Sequence, residues 1–74
     1  MNLYLFVSPQ NSDLSDHQIW ADGLYHAAVW ETSESSAQTF AKDFYSSYHE
    51  SWVVRHVPHP ERLADDETET EEYN

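Results

Sequence analysis

The chain contains no cysteine, and at 74 residues that absence decides much of what it can fold into. A domain of this size buries only about 60% of the surface its unfolded chain exposes, so its core is marginal. Neither a disulfide nor a sulfur-ligated zinc ion can reinforce it. The lack of cysteine also fits a reducing compartment. What the chain has instead is rings: three Trp, three Phe and five Tyr, each supplying a large apolar area from a single position. One domain is the limit for this length.

Fourteen acids face three bases, a formal charge of −11. Such a charge repels itself on compaction. Direct binding to phosphate backbones needs clustered Lys and Arg, whereas Lys42, Arg55 and Arg62 are scattered along the sequence. Direct nucleic-acid binding is therefore not expected. The opening MNLYLFVSPQ is apolar for only five residues and lacks a basic region, so it does not read as a signal peptide. No run approaches the ~20 apolar residues of a membrane span. The expectation is a soluble, cytosolic protein.

Residues 3–8 read as a strand, with Leu3, Leu5 and Val7 on one face and Tyr4 and Phe6 on the other. Pro9 ends it. The segments 17–21 and 24–30 flank Asp22-Gly23, a hairpin signal that uses the only glycine in the chain. The polar run 32–36 suits a helix start, with Ser35 and Gln38 at capping-box spacing. Ala37, Phe40, Ala41, Phe44, Tyr45 and Tyr48 then repeat at helical spacing, predicting an amphipathic helix over 36–48. Its apolar stripe, Phe40 and Phe44 included, is assigned to the core. Residues 52–57 are β-branched and aromatic and form a last strand, ended by Pro58 and Pro60. The expected fold is α+β: one amphipathic helix on a small three- to four-stranded, mainly antiparallel sheet, spanning 1–60. Residues 61–74 hold seven acids, one arginine and almost no apolar residues, so they are expected to form an acidic disordered tail.

The chemistry available is limited. The five histidines show no recognised metal-ligand spacing and read as surface or strand-edge residues, so no metal and no cofactor is expected. Asp13, Asp16, His17 and Asp22 fall in what reads as loop or turn, where Asp commonly serves the turn itself. No activated-serine motif or phosphate-binding glycine loop is present, and the expectation is a protein without catalytic activity. Binding is the remaining role. The tail carries −6, and residues 1–60, with seven acids and two bases, carry −5 of their own. The binding candidates are those seven acids, Asp13, Asp16, Asp22, Glu31, Glu34, Asp43 and Glu50, with Trp20 and Trp30 as aromatic anchors. A small acidic domain can occupy a basic groove that normally holds nucleic acid, drawn in by the same field.

The order MNLYLFV, WADGLYHAAVWETSESSAQTFA and SWVVRHV resembles small early proteins of bacteriophages across roughly residues 1–58. Two groups share the pattern: the anti-CRISPR proteins, many of them short, acidic and poor in cysteine, and a phage inhibitor of host RNA polymerase. The anti-CRISPR resemblance implies a DNA-mimicking inhibitor acting in the host cytoplasm on a larger basic protein or nucleoprotein complex, a CRISPR effector in the first instance. A polymerase inhibitor is the alternative, as is a small structural or regulatory subunit whose acidic tail serves solubility.

Overall fold

The computed structural model describes residues 1–63. Its organising element is the first strand, β1 (Asn2–Val7), in which Leu3, Tyr4, Leu5, Phe6 and Val7 are all buried. A strand apolar at every position has to be covered on both faces. β1 is covered on both faces and flanked on both edges. β2 (Ala27–Glu31) pairs with it on one side and β3 (Val53–Val57) on the other, both antiparallel, in the order β2-β1-β3. Leu3 lies opposite Trp30 and Val57, and Leu5 opposite Ala28 and Arg55. The fold is α+β, as the sequence pattern predicts, with three strands in the sheet.

The predicted hairpin at Asp22-Gly23 does not form. Its first arm is a helix, α1 (Asp16–Asp22), and Gly23 is the C-cap of that helix at φ 67° and ψ 34°. The Gly23 N–H donates to the Trp20 carbonyl at 3.3 Å, and the Leu24 N–H to the Ile19 carbonyl at 2.9 Å. These two bonds make a Schellman motif, closed by the apolar contact of Leu24 with the Ile19 cluster. At the other end the Ser15 hydroxyl accepts from the Gln18 N–H at 3.2 Å. Leu14 and Ile19, at N′ and N4, join the same cluster as a hydrophobic staple. The glycine's freedom is used as expected, but it stops a helix where a hairpin turn was predicted.

The second helix, α2 (Glu34–Phe44), is the predicted one, begun two residues earlier and ended four earlier. Ser33 caps it by accepting from the Ser36 N–H at 3.2 Å, and Glu34 in the first turn complements the dipole. The residues it buries completely are Ala37 and Ala41. Small side chains there let the helix lie close to the strands.

Two clusters result, one on each face of the sheet. Leu3, Leu5 and Val7 meet Ile19 of α1, Val57 and Leu63. Tyr4 and Phe6 meet Ala27, Val29 and the two alanines of α2. Trp52 seals the second cluster, edge-on to Phe6 at 6.1 Å and stacked on His26 at 4.7 Å. Leu63 lies beyond the expected domain boundary at residue 60, yet it is buried, so the fold reaches at least that far. The rest of the expected tail, 64–74, falls outside the described residues.

One polar clamp joins the layers. Arg55, on the α1 face of β3, donates through Nη1 to the carbonyls of Ser12, at 2.9 Å, and Leu14. Its Nη2 lies 3.0 Å from the Asp16 carboxylate. It fastens the loop before α1 to the sheet.

Candidate protein-interaction surface

β2 alternates its side chains like any strand, so Trp30 and Glu31 leave it on opposite faces. Trp30, opposite Leu3 in the register, projects on the α1 side and is 52% exposed. Glu31 projects on the α2 side. There it meets the flank of α2, where residues three and four apart share one face. Ser35, Thr39 and Asp43 form one row and Ser36, Phe40 and Phe44 the next, lining with Glu31 an open groove of about 360 Å³.

The floor of this groove is aromatic. Phe40 and Phe44 are stacked with centroids 4.4 Å apart and planes 20° from parallel. Phe44 is 71% exposed, which corrects its assignment to the core. The two alanines are the part of the apolar stripe that the strands bury, and one turn further on Phe44 is stacked on Phe40 but, among the described residues, lies beyond the strands' cover. Phe40 is half-buried and packs against the second cluster, so it anchors its neighbour. Two carboxylates, Glu31 and Asp43, line the same groove.

The other predicted site residues separate into groups. Glu34 lies in the first turn of α2 and is exposed. Glu50 is exposed in the connection between α2 and β3. Asp13 and Asp22 are exposed on the α1 side of the chain path, before and at the end of that helix. Asp16 is not a free charge: its pairing with Arg55 gives it a structural task, which removes it from the binding set. Trp20 is 38% exposed and stacked on Tyr25 at 5.4 Å, within 5° of parallel, so it is partly spent on packing. The nine candidates therefore do not form one surface. The structure brings Glu31 and Asp43 together around phenyl rings that sequence reasoning had put in the core. The signal that would have exposed Phe44 is the length of the stripe, which overruns what so small a sheet can bury.

A second cleft, of about 380 Å³, lies at the other end of the molecule's chemistry. Arg55 and Arg62, scattered in sequence, line it together with His17 and His59. His56 is on the opposite sheet face, against Tyr4 at 5.3 Å, as its alternation with Val57 predicts. Among the described residues no group of three or more His, Asp and Glu is placed to hold a metal ion. Ser8 Oγ lies 2.7 Å from His26 Nε2, within reach of a nucleophile and its base. The His26 ring, however, is stacked on Trp52, and among the described residues no carboxylate is shown orienting it as in a triad. No helix among the described residues is long and apolar enough to cross a membrane. Comparison with protein-family models, with curated proteins and with solved structures gave no match.

Proposed function

We propose that this chain is a non-enzymatic inhibitor that binds a basic, normally nucleic-acid-holding surface of a larger partner. The observation that carries the reading is the groove along α2, where the exposed Phe44 is stacked on Phe40 beside the carboxylates of Glu31 and Asp43. Rigid rings offer contact area at little entropic cost, and a desolvated ring is the usual kind of interface anchor. Carboxylates beside them select a cationic partner and speed its approach. An arginine suits such a site best, since its guanidinium can lie on a phenyl face while its fork engages a carboxylate. Basic channels that hold nucleic acid are rich in such side chains. A bacterial CRISPR effector offers one, in agreement with the phage-protein resemblance, and the host cytoplasm is where the two would meet.

The test uses purified chain and a purified CRISPR effector complex. Affinity should fall steeply between about 50 and 200 mM salt, as it does for nucleic acid on the same surface. DNA should compete with the chain. The doubly reversed variant Glu31→Lys, Asp43→Lys should bind at least about tenfold more weakly. Affinity indifferent to salt and to charge reversal would sink the reading.

A further inference from the structure

Among the described residues β2 and β3 are the two outer strands of the sheet, and their edges are not equivalent. An edge strand offers unpaired N–H and C=O groups to any extended chain, and soluble proteins guard such edges with Lys, Arg, Pro or irregularity. β3 has such guards: Arg55 and His56 lie within it, and Pro58 follows at once. β2, with the sequence AAVWE, holds no basic residue, proline or glycine. Among the described residues it pairs only with β1. At its Glu31 end the strand borders the acidic aromatic groove on one face, and Trp30 is exposed on the other.

We infer that the outer edge of β2 is a strand-addition site, which takes an extended arginine- or lysine-bearing segment of the basic partner as a fourth strand. This rests on the reading of the acidic surface above and specifies how that surface is used. Side chains of an added strand alternate between faces. Those on the α2 side enter the groove, where a long basic chain lays its methylenes or guanidinium on Phe40 and Phe44 and its charge against Glu31 and Asp43. Those on the other side meet Trp30. Backbone bonds supply affinity, and the alternate pockets supply selectivity. Charge decides among occupants: a second copy would bring its own Glu31 and Asp43, and a net charge of −11, to the same edge. β3, with the sequence VVRHV, carries no carboxylate to draw in the basic segment that β2 attracts.

The probe is a capped peptide of about eight residues, alternating Arg and Val, a length that spans an ordinary strand. A control of the same sequence is N-methylated at alternate amides, which keeps its charge and blocks one hydrogen-bonding edge. Binding is followed by amide NMR and hydrogen exchange of the full chain at low salt. The unmodified peptide should slow exchange within residues 27–31 by roughly tenfold or more. N-methylation should weaken binding roughly tenfold, and Trp30→Ala together with Phe44→Ser should do likewise. Equal binding of the two peptides, or protection along β3 instead, overturns strand addition and leaves the acidic-surface reading standing. Failure of both peptides to bind overturns the two together. Protection of β2 that grows with protein concentration in the absence of peptide assigns the edge to a second copy and also overturns the inference.

Discussion

Arg55 offers the sharpest test of how this small fold is held together. Replacing it with alanine removes three charge-assisted contacts at once, to the Ser12 and Leu14 carbonyls and to the Asp16 carboxylate. A hydrogen bond to a charged group contributes about 1.5–3 kcal/mol, and a partly screened ion pair up to about 1 kcal/mol. The side chains of Arg55 and Asp16 are 23% and 24% exposed, so water takes over part of what is lost. A cost of about 3 kcal/mol follows for Arg55→Ala once that screening is allowed for. Arg55→Met keeps the aliphatic stem and should cost about 2 kcal/mol. Arg55→Lys should fall between methionine and wild type, since one ammonium cannot reach three acceptors in the geometry of a planar fork. Asp16→Asn, which leaves both carbonyl bonds intact, should cost about 1 kcal/mol or less. Domains of this size hold only about 5 kcal/mol in total, so the alanine variant should melt at least about 12 °C lower. Urea unfolding followed by tryptophan fluorescence, with melting by circular dichroism, gives each value. The reasoning fails if Arg55→Ala costs under about 0.5 kcal/mol. It fails differently if Asp16→Asn costs as much as Arg55→Ala, for then the ion pair and not the carbonyl bonds holds the loop.

Three further outcomes are expected. Gly23→Ala should destabilise by about 1–2 kcal/mol through backbone strain alone, since φ is +67° and an added Cβ meets nothing within 4 Å; Gly23→Asn should recover part of the loss in the same urea titration. Asp22 ends α1 with a negative charge at the negative end of its dipole, so Asp22→Lys should raise stability by about 0.3–1 kcal/mol at low salt, an effect that added salt erodes. Phe44→Ser should leave the melting temperature within a few degrees of wild type while weakening partner binding, whereas Phe6→Ala should cost about 3–5 kcal/mol and leave little folded protein to assay by circular dichroism.

The elements that the sequence makes legible are those with long or uniform patterns. The unbroken apolar run from Leu3 to Val7 announces a strand covered on both faces, and the Ala37–Ala41 stripe announces a helix. α1 escapes periodicity because only Ile19 of its seven residues is buried, too few to define a period. Its ends were nevertheless written out: Ser15 and Gln18 at capping-box spacing, Leu14 and Ile19 as a staple, and Gly23 as the stop. Asp-Gly misled because hairpin turns and helix C-caps both ask for a left-handed residue, and the dipeptide alone cannot say which. For the site, the acids were visible but their allegiances were not. Asp16 pairs with an arginine on β3, a contact no local pattern encodes. Glu31 and Asp43 share a groove because α2 turns back over the sheet face on which Glu31 projects.

β1 has a consequence for how the protein is made. Every pairing in the sheet passes through this one segment, whose partners lie far downstream: Leu3 faces Trp30 on one side and Val57 on the other. A ribosome delivers β1 before either neighbour exists. When Glu31 has emerged, one flank of β1 can close, but the other waits for β3. Both flanking strands reach β1 over large separations, and such topologies fold slowly for their size. During that wait the stretch LYLFV is the chain's stickiest exposed surface. The acids that precede β3 then have a second value besides partner choice: residues 1–60 carry −5 without the acids that follow, and this charge helps to keep half-made copies apart until Val57 arrives.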